Sequence, residues 1–194
     1  MSELLRRATY LLSEADPQRL EPSRAEVAFI GRSNVGKSSV INALCQKEGL
    51  AKISKTPGRT RTINVFAVDH LRWIVDLPGY GYAAAPNEAR EGWAQMVQDY
   101  FMSRSTLTGV FVLIDSKIGP TQLDHQMRSW LEDQRLPHFF IGNKVDQVKP
   151  SLLHAQQKQI AQALSTSVSE IQWVSATKGT GMGVLRNFVA ERLQ

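Results

Sequence analysis

An apolar run ending at Phe29 and Ile30 passes directly into Gly31, Arg32, Ser33, Asn34, Val35, Gly36, Lys37 and Ser38. This Gly-x-x-x-x-Gly-Lys-Ser spacing needs a strand before it and a helix after it. The glycines let the backbone curl until successive N–H groups and the start of the next helix face one point. Such a point attracts a polyphosphate. Lys37 then supplies a mobile positive charge to the β and γ oxygens, and Ser38 offers a hydroxyl to magnesium. A chain organised around this loop is committed to an α/β sheet whose strand ends carry the chemistry. The spacing alone does not separate adenine from guanine nucleotides.

The rest of the chain is consistent with that commitment. Apolar runs alternate with helix-period segments, which predicts a mostly parallel sheet with helices on both faces. Six strands are expected, at 25–30, 62–68, 71–76, 109–115, 137–142 and 171–174. Asp69 and His70 form a tight turn that makes one strand antiparallel. Helices are expected at 37–46, 88–103, 121–134, 151–164 and 182–193, with Thr121 and Ser151 placed to act near their N-termini. The first 24 residues read as an N-terminal extension packed on a domain formed by 25–194. Within the extension Leu4, Leu5, Ala8, Leu11 and Leu12 recur at helical spacing, although 9–12 suits an extended segment equally.

At 194 residues and 42% hydrophobic, the chain fits one core. No apolar run approaches the roughly 20 residues of a membrane span, and the first residues are interrupted by Glu3, Arg6, Arg7 and Glu14. Ser2 stands where myristoylation needs glycine, and the final residues hold no prenylatable cysteine. A cytoplasmic protein free of membranes is expected. The lone Cys45 reads as a buried small hydrophobe, and four scattered histidines lack the spacing of a zinc site.

Base choice is written further along. A strand ending at Phe140, Ile141 and Gly142 is followed by Asn143, Lys144, Val145 and Asp146. A carboxylate there can accept from both the ring N–H and the exocyclic amine of guanine, a donor pair that adenine lacks. Lys144 can lay its stem along the base, and Asn143 can bond the ring or tether the phosphate loop. The last strand leads through Val174 into Ser175, Ala176, Thr177 and Lys178, a turn whose N–H near Ala176 can reach the guanine oxygen. Trp173 reads as core packing.

Two long loops, 47–61 and 77–87, complete the candidate site. In the second, Asp76, Leu77, Pro78 and Gly79 place a carboxylate where it can hold magnesium through water, and an N–H where it can bond a γ-phosphate. In the first, Thr56, Pro57, Gly58, Arg59, Thr60, Arg61 and Thr62 offer a second hydroxyl ligand for magnesium, Thr60 in preference to Thr62. Tyr80 follows Gly79 where Ras-like enzymes use a water-orienting glutamine, and its ring cannot present both an amide donor and an acceptor. Slow intrinsic hydrolysis is expected. A loop aromatic packed on a helix is an equally good reading of Tyr80.

The stretches GRSNVGKSSVINAL from Gly31, TPGRTRTINVF from Thr56, DLPGYGYA from Asp76, NKVD from Asn143 and SATKGTG from Ser175 resemble, in order, the bacterial EngB family of GTP-binding proteins, in the Era-like branch of P-loop GTPases. DLPGYGYA is the most specific of these. The resemblance implies a Ras-like P-loop NTPase fold, GTP or GDP as ligand with magnesium, and action as a switch in large ribosomal subunit assembly and normal septation. It also implies that Asn34 helps hold a potassium ion in place of an arginine finger; a structural role for Asn34 in the loop is equally compatible.

Partners are suggested more weakly by charge. The net charge is +5, and Lys52, Lys55, Arg59 and Arg61 stand in 49–68 without one acidic residue. Such a loop can steer ribosomal RNA of the large subunit or its precursor, or simply help neutralise GTP. The chain is expected to be a monomer. Two functions stay open: a GTPase whose hydrolysis times its release, and a GTP-sensing module in which occupancy alone sets partner affinity.

Overall fold

The computed structural model describes residues 3–52, 62–81 and 87–194, with 87–90 described by their backbone alone. The elements run α1 (Glu3–Arg6), β1 (Thr9–Glu14), β2 (Ala25–Gly31), α2 (Lys37–Cys45), β3 (Ile63–Ala67), β4 (Arg72–Asp76), α3 (Asn87–Ser103), β5 (Leu107–Asp115), α4 (Gln122–Asp133), β6 (His138–Asn143), α5 (Pro150–Ala163), β7 (Gln172–Trp173) and α6 (Met182–Arg192).

Every residue of β2 is buried, because the strand has helices on both sides. Its alternation sorts side chains into two cores. Val27 and Phe29 join Val40, Ile41 and Leu44 of α2 and Leu185 and Val189 of α6. Ala28 and Ile30 join Val97, Tyr100 and Phe101 of α3, Leu131 of α4 and Ile160 of α5. Complete burial of a side chain such as Phe29 contributes about 2 kcal/mol. Cys45 is fully buried in the first core. Trp173 packs against the second, its indole N–H donating to the Val168 carbonyl at 2.9 Å.

Among the described residues the sheet has seven strands in the order β1-β3-β4-β2-β5-β6-β7, one more than the six expected. The extra strand is β1, which pairs antiparallel with β3 from Thr9↔Ala67 to Glu14↔Ile63. The helical spacing of leucines in this segment misleads because α1 is only four residues long. Leu5 and Ala8 are fully buried, whereas Leu11 falls in an irregularity of the ladder and is 46% exposed. Among the described strands β3 alone runs against the others, being antiparallel to both β1 and β4. The strands from β4 to β7 pair in parallel. The β3–β4 turn is tied by Asp69, whose carboxylate accepts from the N–H groups of Leu71 and Arg72 at 3.1 and 2.9 Å.

Helix starts differ in one detail. Thr121 caps α4 through a reciprocal box with Asp124, as its position suggested. Ser151 does not cap α5: Pro150 is the first helical residue and Lys149 takes the cap position. Among the described residues no helix is long and apolar enough to cross a membrane.

Candidate nucleotide site

The parallel strands β2, β4, β5 and β6 all point their C-terminal ends to one rim of the sheet, and the motif residues leave from that rim. Gly31 closes β2, and the chain then turns through Arg32, Ser33 and Asn34 to the buried Val35. Asn34 and Gly36 both take positive φ, 64° and 94°. Gly36 precedes Lys37 at the start of α2. A Cβ on Gly36 would lie 2.5 Å from the Asn143 side-chain nitrogen, so both the backbone angle and the neighbour demand glycine there.

That neighbour joins the phosphate loop to the base loop. The Asn143 amide donates to the Val35 carbonyl at 2.9 Å. Its oxygen accepts a long contact of 3.4 Å from the N–H of Ala176, so this N–H, expected to face a guanine oxygen, is directed at Asn143. Lys144 Nζ donates to the Asn34 carbonyl at 2.8 Å and to Asp115 Oδ2 at 2.7 Å. The Val145 N–H donates to the Val174 carbonyl at 3.2 Å, and the buried Ser175 closes the following turn by accepting from the Lys178 N–H at 3.0 Å. Asp146 is exposed and makes no hydrogen bond or ion pair with a described residue. Its carboxylate is available to a ligand.

On the other side of the phosphate loop, Lys37 Nζ forms an ion pair with Asp76, their side chains only 11% and 6% exposed. Ser38 is half-buried in the first turn of α2, and its hydroxyl makes no hydrogen bond with a described residue. A hydroxyl and a nearby carboxylate are hard oxygen donors, the chemistry magnesium selects. The residues present therefore fit that ion. Thr62 lies half-buried just before β3. Gly58, Arg59, Thr60 and Arg61 lie outside the described residues.

After Asp76 the chain hugs the phosphate loop. Leu77 is buried and donates its N–H to the Phe29 carbonyl at 3.0 Å. The Pro78 carbonyl accepts from the Trp93 indole at 2.9 Å. A Cβ on Gly79 would stand 2.9 Å from the Gly31 carbonyl oxygen and 3.2 Å from the Ser33 nitrogen. Tyr80 is 5% exposed, edge-on to Trp93 at 6.2 Å. Its hydroxyl donates to Asp124 Oδ1 at 2.6 Å. Burial first, then the Asp124 carboxylate, pushes this phenol well above its ordinary range, so it keeps its proton and acts as donor. Of the two readings left open by sequence, the packed aromatic is the one observed.

Three contributors went unnoticed in the sequence: Asp115, Trp93 and Asp124. Only Asp115 had a signal, a carboxylate closing an apolar strand beside the base loop.

A parallel-centred sheet with a phosphate loop, an Asp-x-x-Gly turn and an Asn-Lys-x-Asp turn on one rim defines a P-loop GTPase. The family model for 50S ribosome-binding GTPase matches residues 26–144. A probable GTP-binding protein EngB from Desulforamulus reducens is 43% identical over 178 residues, covering 91% of this chain and 86% of the relative. The Roseobacter denitrificans counterpart is 41% identical over 174 residues, 88% and 81% of the two chains. This chain belongs to the EngB family of GTP-binding proteins. A crystal structure of a probable GTP-binding protein EngB superimposes with a TM-score of 0.68 at 25% identity, over 87% of this chain and 98% of that one. Era from Aquifex aeolicus, bound to GDP and AlF4−, shares the fold with a TM-score of 0.66 at 24% identity, over 87% of this chain and 56% of Era.

Proposed function

We propose that this chain binds GTP and GDP with magnesium as a cytoplasmic nucleotide switch and slow GTPase. We further propose that it acts in assembly of the large ribosomal subunit and is thereby needed for normal cell division and septation. The observation that carries the nucleotide reading is the Asn143–Val35 hydrogen bond, which fixes the base loop to the phosphate loop as one cradle. In it the amides and Lys37 would take the phosphates and Asp146 would select guanine; Ser38, together with Thr60 from outside the described residues, would hold magnesium, which would supply charge neutralisation for the phosphates. Lys37 would have to leave Asp76 in order to meet the phosphates. The ribosomal reading is supported by the 50S-binding family description and by the cationic 49–68 segment.

One observation favours a second reading, a GTP-sensing module whose occupancy sets partner affinity. Tyr80 is buried and bound to Asp124, so it orients no water. Hydrolytic help then has to come from potassium held near Asn34 or from the ribosomal partner.

Calorimetry with GDP and ADP tests the site: GDP binding at least about a hundredfold tighter is expected from a paired carboxylate at Asp146. Multiple-turnover hydrolysis in potassium and in sodium, with and without large-subunit precursors, separates the two readings. Stimulation by potassium or particles supports the GTPase, and flat rates support the sensor. Binding to the particles that ignores both salt and nucleotide state would sink the RNA contact.

A further inference from the structure

Tyr80 is held from two sides. Its backbone bridges Arg32 in parallel fashion: its N–H donates to the Gly31 carbonyl at 3.2 Å and its carbonyl accepts from the Ser33 N–H at 2.9 Å. Its hydroxyl donates to Asp124 Oδ1 at 2.6 Å. Asp124 cannot easily follow a moving partner, because its other oxygen accepts from the Thr121 N–H at 2.6 Å and from the Thr121 hydroxyl at 2.7 Å. Both residues are almost fully buried, and a hydroxyl bonded to a carboxylate is among the stronger neutral-donor contacts.

Gly79 sits between this clamped tyrosine and the phosphate-loop wall, 2.9 Å from the Gly31 oxygen when measured from an added Cβ. Through its neighbour Tyr80, Gly79 is thus joined to a carboxylate of α4 that belongs to none of the nucleotide motifs. The Lys37–Asp76 ion pair shows the same arrangement from the other side: both groups are turned to each other and not outward to a polyphosphate.

We propose that Asp124 is a positioning residue for the choice between GDP and GTP: by anchoring Tyr80 it holds Gly79 against the phosphate loop, and the γ-phosphate has to draw Gly79 away against that anchor. The inference rests on reading the site as a GTP switch and names what sets its bias. GDP makes no demand on Gly79, so its affinity is independent of the anchor. GTP affinity is reduced by the free energy of releasing it.

The test measures the affinity of the full chain for GDP and for a non-hydrolysable GTP analogue, in magnesium, for the unsubstituted protein and for Tyr80→Phe, Asp124→Asn and Thr121→Ala. Tyr80→Phe removes only the hydroxyl and keeps the packed ring, so the test stands even if Asp124→Asn weakens the α4 cap. Tyr80→Phe is expected to bind the analogue about tenfold tighter relative to GDP, the size of one hydrogen bond to a charged group, and Asp124→Asn, whose amide oxygen can still accept from the hydroxyl, is expected to shift the ratio the same way by less. Thr121→Ala removes one of the two contacts that fix Asp124 while leaving the Tyr80–Asp124 bond, and its ratio is expected to lie between the unsubstituted value and that of Tyr80→Phe. A ratio that is unchanged or lower in Tyr80→Phe overturns the inference, as does an equal shift in Thr121→Ala. If the unsubstituted chain binds neither guanine nucleotide, the switch reading fails first and takes the inference with it.

Discussion

Asn143 donates its side-chain amide to the main-chain carbonyl of Val35 at 2.9 Å, joining two loops 108 residues apart in sequence. Asn143 is itself 2% exposed, so the bond is shielded from water. Replacing it by alanine leaves the Val35 carbonyl without that donor and opens space beside Gly36. Asn143→Ala is expected to lower unfolding stability by about 1–3 kcal/mol, the penalty for an orphaned buried polar group. GDP affinity should fall in parallel. Urea titration and calorimetry check both, and a variant as stable as the parent would remove the tether from the account.

The Lys37–Asp76 pair gives a second test. Both side chains are largely buried, so removing one partner strands the other charge. Lys37→Ala should destabilise the folded chain by about 3 kcal/mol, and adding Asp76→Ala should restore part of that loss. A double-mutant cycle with strictly additive terms would show that the pair is not coupled.

A third prediction concerns the far end of β2. Glu26 is fully buried and accepts from Arg104 Nε at 2.8 Å, the Tyr100 hydroxyl at 2.7 Å and the Ser23 hydroxyl at 2.5 Å. Arg104 also donates to the Leu20 and Glu21 carbonyls, which fastens the segment before β2. Arg104→Met is expected to cost about 3–5 kcal/mol of stability by leaving an unpaired buried charge. Glu26 lies near the opposite end of the strand from Gly31, about 16 Å away at strand spacing. GDP affinity of the variant should therefore match the parent at temperatures where it is folded.

Cys45 supplies a pH prediction. Burial, partly offset by Lys47 and Arg186, pushes its thiol from 9.0 up to about 12. The folded pKa lies above the unfolded one, so the contribution to stability is full below pH 9 and is lost as pH rises from 9.0 toward about 12. Thiol labelling at pH 8 should require unfolding, and Cys45→Ala should flatten the alkaline arm of the stability profile. Rapid labelling of the native chain would contradict this.

The phosphate loop, the base loop and the alternation of strands and helices were legible because each is a local pattern. A glycine spacing, an apolar run or a helix period is complete within a few neighbouring residues. The strand expectations at 25–30 and 109–115 lie within β2 and β5, which are buried on both faces and leave little choice of structure. β1 was not legible as a strand, since its leucines satisfy a helical spacing as well, and only β3 offers the edge that settles the matter.

The candidate site divides in the same way. Sequence alone determined which motif residues gather at one rim of the sheet, because the ends of parallel strands must share it. It left the direction of the Tyr80 ring open, it held no sign that Asp124 would receive the hydroxyl, and the carboxylate that closes β5 at Asp115 did not by itself point to Lys144. Those choices were made by tertiary structure. A buried hydroxyl or ammonium must find a partner wherever packing brings one within reach, and that partner need not be near in sequence.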